Sequence, residues 1–383
     1  MTEAIALYVH WPFCERKCPY CDFNSHVSET VDQSRWRAAL LADLAHYAAE
    51  TPGRQLTSVF FGGGTPSLMD PGSVAAVLEA AADHWPTSDN LEITLEANPS
   101  SAERARFKAY REGGVNRLSI GVQSFDDDAL KFLGRLHDAS QARDAIDAAA
   151  EIFPRFSFDM IYARPGQSAA NWLGELTDAL ALAGDHLSLY QLTIEPGTPF
   201  FRDTVETAGD DDAVAMFEIT QETLAAAGLP AYEISNHARP GSESRHNLTY
   251  WQGGDYVGIG PGAHGRLTLD SRFIAPHQIS DPARWLKKVE ADGHGTAKRR
   301  VLSSTERAEE MVMTGLRLTE GLDLKGLEIK TGLAASGFFA GQRLGALIEG
   351  GFLTKDASRL SVTPAGQLRL NAVLAHLLAP EEA

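Results

Sequence analysis

Three cysteines carry the first chemical signal of the chain, and all of them fall inside eight residues: Cys14-Glu-Arg-Lys-Cys18-Pro-Tyr-Cys21. Three cysteines cannot build a disulfide framework for a chain of 383 residues. Clustered this tightly, they point to metal ligation or thiol chemistry in a reducing compartment. Thiolates prefer soft metals, and three of them leave one coordination position to be filled. Spacing alone supports two readings. One is a structural zinc site completed by His26. The other is a [4Fe–4S] cluster whose fourth iron stays open to a substrate or cofactor.

The elements that must hold these thiols are legible in the hydrophobic periodicity. Residues 5–10 read as a strand ending at Trp11-Pro12, and 32–50 as a helix with Trp36, Leu40 and Leu44 four apart. Further strands are expected at 58–61, 91–96, 116–121, 156–161 and 187–192. Helical stretches lie between them at 71–84, 102–112, 126–132, 140–152 and 168–183. Strands separated by helices of this length require right-handed crossovers and a parallel sheet. Six such repeats fall short of a closed eightfold barrel, so the α/β fold expected is a partial (β/α)6 barrel.

In such folds ligands bind beyond the carboxyl ends of the strands. Each expected strand runs into a polar or glycine-rich group: the three cysteines, Gly62-Gly63-Gly64-Thr65-Pro66, Glu96-Ala-Asn98-Pro99, Gly121-Val-Gln123-Ser124, Asp159 with Pro165-Gly166-Gln167, and Gln191 with Thr193. All of these groups face one rim. A site distributed over that rim is the economical explanation.

Beyond about residue 200 the pattern changes. A helix at 211–227 leads into a loop-rich segment, 235–265. From 304 on come helical patches, short strands at 352–354 and 360–363, and a final helix, an α+β arrangement that is winged-helix-like. The expected division is 1–205 for the partial barrel, 206–300 for a connecting region and 301–383 for the C-terminal module.

Charge narrows the partners. With 34 Lys and Arg against 51 Asp and Glu, the net charge is −17, which argues against nucleic acid for the barrel and the winged module alike. The first residues lack the basic region of a signal peptide, and no run approaches the ~18 apolar residues of a membrane span. The expectation is a cytoplasmic chain. Peripheral membrane contact and homodimer formation stay open.

The cysteine motif Cys-x3-Cys-x2-Cys, with Tyr20 before the last thiol and a glycine-rich turn about 40 residues on, resembles the radical S-adenosylmethionine superfamily. The resemblance sharpens over most of the chain. Tyr8-Val-His10-Trp-Pro-Phe-Cys14, Gly62-Gly63-Gly64-Thr65-Pro66-Ser67, Ser119-Ile-Gly121-Val-Gln123-Ser124-Phe125, Gly134-Arg135-Leu-His137 and Asp159-Met-Ile-Tyr162 are similar to the oxygen-independent coproporphyrinogen III oxidase group. The resemblance implies that Cys14, Cys18 and Cys21 hold a [4Fe–4S] cluster. It implies S-adenosylmethionine contacts at Tyr8, Tyr20, Gly63, Gly64, Thr65, Glu96, Gln123, Arg135, Asp159 and Thr193. Arg135 would pair with the cofactor carboxylate, while Glu96 and Asp159 would accept from its amine and ribose.

Two departures separate the chain from the decarboxylating oxidases of that group. Those enzymes carry a fourth cysteine where this chain has Phe23, and they have a long N-terminal extension where only 13 residues precede Cys14. Both departures match the group's haem-chaperone branch. Arg245-His246-Asn-Leu-Thr-Tyr250-Trp251 contains His-Asn-x-x-Tyr-Trp, which resembles that branch's haem signature and marks His246 as the haem-site residue. The implied partners are haem and recipient respiratory haemoproteins, with oxidative decarboxylation of coproporphyrinogen III as the alternative. The glycine-rich segment 258–265 is a poor dinucleotide fingerprint and is expected to approach the cofactor. Ala163-Arg164 replaces the Gly-Leu usual in relatives and is expected to place a charge near the rim.

Overall fold

A computed structural model of the chain describes residues 3–28, 30–339 and 341–379. Its centre is a sheet of eight strands: β1 (Ala4–Trp11), β2 (Gln55–Gly63), β3 (Thr87–Ala97), β4 (Arg117–Gln123), β5 (Arg155–Tyr162), β6 (His186–Gln191), β7 (Asn236–Ala238) and β8 (Tyr256–Ile259). The order across the sheet is β8-β1-β2-β3-β4-β5-β6-β7. All pairings are parallel except β6 with β7. The ends of the sheet do not pair with each other, so the barrel is open, as expected from six repeats.

The six expected strands are the inner six. Both edge strands come from the segment read as loop, where three- and four-residue strands leave almost no periodicity to detect. The crossover helices are α1 (Gln33–Glu50), α2 (Pro71–His84), α3 (Phe107–Glu112), α4 (Ala139–Ile152) and α5 (Ala169–Leu182), followed by α6 (Asp210–Ala226). Asp32, Asp70, Asp138 and Ser168 begin α1, α2, α4 and α5 by accepting from backbone amides that have no partner inside the helix. The helix expected at 102–112 is broken into Ser101–Arg104 and Phe107–Glu112. Before the break, the Glu103 carboxylate accepts from Asn98 N at 2.7 Å and from the Ser67 hydroxyl, tying the segment to the rim.

Alternation along the strands builds the site. Leu7, Val9, Val59, Phe61, Ile93, Leu95, Leu118, Ile120, Phe158 and Leu187 join Leu40, Leu44, Val74, Val77, Phe107 and Trp172 in one buried core between sheet and helices. The residues between them, Tyr8, Glu96, Arg117, Ser119, Asp159 and Ser188, line cavities inside the barrel. A parallel sheet covered on both faces usually reads as an apolar run. Here the inner face is polar, because it encloses space rather than packing against side chains.

The remaining chain contains α7 (Arg245–Trp251), α8 (Pro282–Asp292), α9 (Ser304–Gly315) and α10 (Leu324–Thr331). Strands Leu322–Asp323, Leu353–Lys355 and Arg359–Val362 form a small antiparallel sheet. With α9, α10 and Gln342–Glu349 it surrounds a separate core of Met311, Leu327, Leu347, Leu353 and Leu360, the winged-helix-like module expected.

Candidate functional site

The thiol loop leaves β1 at Pro12 and is tied down by backbone bonds. His26 N donates to Pro12 O, Thr65 N donates to Phe13 O, and Cys21 N donates to Cys18 O. Asn24 anchors the loop from outside, its Nδ2 donating to Pro261 O and Ser280 O at 2.9 Å each. Segment 258–265 therefore supports the thiol loop from behind. A Cβ at Gly262 would lie 2.4 Å from Asn24 Nδ2, and one at Gly260 would lie 2.3 Å from His10 O. The segment does not line the cavity, contrary to the expectation that it approaches the cofactor.

At the carboxyl rim lies a cavity of about 390 Å³. Cys14, Cys18, Cys21, Tyr20, Gly63, Gly64, Thr65, Glu96, Gln123, Arg135, Asp159 and Thr193 all line it. Tyr8 does not; it lies below, in a second chamber with His246. The three thiols are free. Thr65 Oγ1 donates to Cys14 Sγ at 3.4 Å and Arg135 NH1 to Cys18 Sγ at 3.5 Å.

Among the described residues no three Cys, His, Asp or Glu side chains converge as ligands of a single ion. His26 bonds Asn24 Oδ1 at 3.1 Å and lies outside the cavity lining, so it does not complete a mononuclear site with the thiols. A cubane cluster, which takes each sulfur on a different iron, does not require that convergence. The rest of the cavity fits a polar cofactor beside such a cluster. Arg135 Nε and Gln123 Oε1 are buried there without a hydrogen-bond partner. Gln123 holds φ at +75°, a strained left-handed backbone at the end of β4. A Cβ at Gly64 would meet Phe13 O at 2.7 Å, so the turn passes closer to the thiol loop than any other residue could.

Enclosure sets the ionisation of the acids. Removal from water, reinforced by the neighbouring Asp159, pushes the Glu96 carboxyl up to about 8. Asp159 itself is pushed up to about 6 by the same enclosure, opposed by a hydrogen bond from Ser188. Glu96 accepts from Gly63 N at 3.3 Å. At neutral pH Glu96 is then mainly protonated and able to donate, while Asp159 is mainly ionised and accepts.

Sequence reasoning placed Asn98 at the rim without giving it a role and did not single out Arg16, Lys17 and Tyr190; all four line the rim cavity. Asn98 accepts from Arg135 NH2 and donates from Nδ2 to Thr65 Oγ1 at 3.1 Å. The signal for it was its place in the turn after β3. Arg164 does not charge the rim as expected: it is buried and ion-paired with Glu175 on α5.

The second chamber, about 170 Å³, lies deeper in the barrel and shares Glu96, Ser119, Asp159 and Tyr190 with the first. Its floor is α7, which is a helix and not the loop expected. His246 is 1% exposed. Its Nδ1 meets Ser58 Oγ at 3.0 Å, its Nε2 meets Tyr250 Oη at 2.6 Å, and its ring stacks on Phe60 with centroids 5.0 Å apart. Burial pushes the imidazole down to about 3, so it is neutral at physiological pH. The helix is held at both ends. Glu92 accepts from His246 N at 3.1 Å and is paired with Arg155 at 2.7 Å. At the other end, Lys330 Nζ donates to Gln252 O at 2.7 Å and Arg307 NH2 to Gly253 O at 2.7 Å. His246 thus sits at the amino ends of the strands, opposite the thiols.

An open parallel barrel whose carboxyl rim gathers three thiols, a glycine turn and buried acids is the architecture of a radical S-adenosylmethionine protein. The profile of the radical SAM superfamily matches residues 8–179, and that of the HemN C-terminal domain matches 302–369. The heme chaperone HemW of Escherichia coli (strain K12) is 39% identical over 379 residues, 98% of both chains. The mitochondrial radical S-adenosyl methionine domain-containing protein 1 of Bos taurus is 43% identical over 334 residues, 84% of this chain and 75% of its own. In fold, the chain superposes on coproporphyrinogen III oxidase HemN from Escherichia coli with a TM-score of 0.83 at 21% identity, over 99% of this chain and 91% of that one. The chain belongs to the radical SAM superfamily, in the HemW branch of the coproporphyrinogen III oxidase-like group. Membership implies S-adenosylmethionine and a [4Fe–4S] cluster. No described helix is long and apolar enough to cross a membrane.

Proposed function

We propose that the chain is a haem chaperone, which binds haem and, with its cluster and S-adenosylmethionine, passes haem to respiratory haemoproteins of the cytoplasmic side. The observation that carries this reading is the 39% identity, over 98% of both chains, to a protein named heme chaperone HemW. Phe23 supports it. This side chain, 62% exposed, stands at the mouth of the thiol cavity where the decarboxylating oxidases carry a fourth cysteine. Cys14, Cys18 and Cys21 would hold the cluster, and Arg135, Gln123, Thr65, Glu96 and Asp159 would orient S-adenosylmethionine beside it. The cluster supplies the electron for sulfonium chemistry when present; the chain supplies orientation, charge and shelter from water.

His246 is the haem-site residue in this reading, with Tyr250, Phe60 and Trp251 offering flat apolar surfaces. The chamber is far smaller than a macrocycle, and both imidazole nitrogens are engaged. Haem access through this site therefore requires α7 to swing away from the barrel floor and Nε2 to leave Tyr250. Anaerobic haem titration of wild type against His246→Ala tests the assignment; equal stoichiometry and affinity in the two would refute it. Formation of protoporphyrinogen from coproporphyrinogen III by the reduced protein with S-adenosylmethionine would move the chain to the oxidase class instead.

A further inference from the structure

Arg117 opens β4 at an inward position and is 3% exposed. Its guanidinium makes one long hydrogen bond, NH1 to Thr94 Oγ1 at 3.5 Å, and its Nε is buried without a partner. Among the described residues no carboxylate lies within ion-pair distance of it. Neighbouring Glu92 is taken by Arg155 at 2.7 Å, and Glu233 faces Arg317 at 3.9 Å. Of the two carboxyls that share its chamber, enclosure keeps Glu96 mainly protonated at neutral pH. Asp159, pushed up only to about 6, stays mainly ionised but does not meet the guanidinium at ion-pair distance. His246 on the facing helix is neutral. A buried arginine cannot shed its proton, and a guanidinium whose charge is offset only at a distance, with its own donors unmatched, is a costly arrangement.

We infer that the inner chamber is a carboxylate-binding site with Arg117 as its counter-ion. The guanidinium fork matches a carboxylate through two parallel hydrogen bonds, which a more compact cation could not offer. The Ser119 and Tyr190 hydroxyls line the same space and supply further donors. A protonated Glu96 can share its proton with one more carboxylate, whereas a dianion such as phosphate would set a second charge against the ionised Asp159. A chamber of about 170 Å³ takes a carboxylate of a few heavy atoms and excludes a whole macrocycle. The source is either a free monocarboxylate or a propionate arm of a tetrapyrrole. Choosing the tetrapyrrole rests on the haem reading above; the carboxylate site itself does not.

The test uses the full chain. Sodium propionate is titrated by calorimetry and thermal shift against propionamide, its neutral isostere, in sulfate- and phosphate-free buffer. Propionate is expected to bind wild type and raise its Tm, with propionamide at least tenfold weaker. Arg117→Met should abolish the difference, and Arg117→Lys should retain a weaker one. In a second arm, haem and haem dimethyl ester are titrated. A preference for haem in wild type that vanishes in Arg117→Met assigns the site to a propionate arm. No preference, with propionate still bound, assigns it to a free carboxylate. Equal behaviour of propionate and propionamide on wild type overturns the site, whatever haem does. So does an Arg117→Met variant that still distinguishes them. Should Arg117→Met not fold, the wild-type contrast and Arg117→Lys decide.

Discussion

Tyr250→Phe tests how His246 is held and whether it is a haem residue at all. In the chamber the phenol and His246 Nε2 share a hydrogen bond at 2.6 Å, and Ser58 Oγ shares one with Nδ1 at 3.0 Å. In either neutral tautomer Nε2, the nitrogen an iron would need, is already engaged. Removing the hydroxyl leaves Nε2 as a buried polar atom with no partner, because the imidazole is 1% exposed. An unsatisfied buried group costs about 1–3 kcal/mol, and this penalty falls only on the closed state. In an open, haem-bound state an iron would satisfy Nε2. Haem affinity is then expected to rise by ~5- to 150-fold, the same energy expressed as an equilibrium constant. The Tm of the haem-free protein should fall for the same reason. The measurement is an anaerobic Soret titration of wild type and Tyr250→Phe, with a thermal melt of each. A variant that melts lower yet binds haem no tighter would refute the reasoning, since α7 would then be a plug without a ligand role.

Three further outcomes rest on the geometry. Because Glu96 is pushed up to about 8, only ~10% of it is ionised at pH 7 and ~50% at pH 8, so S-adenosylmethionine affinity should rise ~5-fold over that interval in wild type. The sign comes from the acceptor role: binding selects the carboxylate, so raising pH favours binding, and Glu96→Gln should lack this component in calorimetry at the two pH values. Equal pH slopes in the two proteins would exclude Glu96 as an acceptor. Gly64→Ala would bring a Cβ to 2.7 Å from Phe13 O, a backbone atom that cannot turn aside, and should lower the iron retained per chain after anaerobic reconstitution. Arg307 is buried and donates to Gly253 O at 2.7 Å, so Arg307→Met should destabilise the protein to urea by about 1.5–3 kcal/mol and speed hydrogen exchange across 245–253. Unchanged exchange there would show that α7 does not depend on this bond.

How much of this was legible in the sequence depends on the length of the periodic signal. Helix Pro71–His84 has the bounds expected, because Asp70 caps its start and Trp85 ends it in extended backbone. The six inner strands were legible because each is six residues or longer and alternates. β7 and β8 were not, since three or four residues pair by tertiary contact with a neighbour far away in sequence. The rim residues could be found because they follow strands in order. Arg117 escaped notice at the first position of β4, where its inward direction is fixed only once Leu118 and Ile120 are seen to face the helices. Arg164 misled for the opposite reason: a charge next to the rim in sequence found Glu175 on α5 instead.

The placement of His246 departs from the rule that barrel ligands bind at carboxyl ends, with the opposite face serving stability. Stability alone, however, does not explain the floor of this barrel. A helix there to fill space would present apolar side chains, yet α7 presents His246, Asn247 and Tyr250 to the chamber. The chamber in turn holds an arginine with an unpartnered Nε and two enclosed acids whose pKa values are pushed up, arrangements that lower stability and persist where a site needs them. Glu96, Ser119, Asp159 and Tyr190 line both cavities, so a ligand in the inner chamber and a cofactor at the rim touch the same side chains. Occupancy of one end must then alter affinity at the other, and by linkage the effect is mutual. Glu96 sets the sign. A carboxylate bound below would favour the protonated acid, whereas a cofactor amine placed against Glu96 from the rim would favour the ionised one, so the two ligands should weaken each other. Measuring S-adenosylmethionine affinity with and without saturating propionate reads this coupling directly, and an unchanged Kd would separate the two chambers.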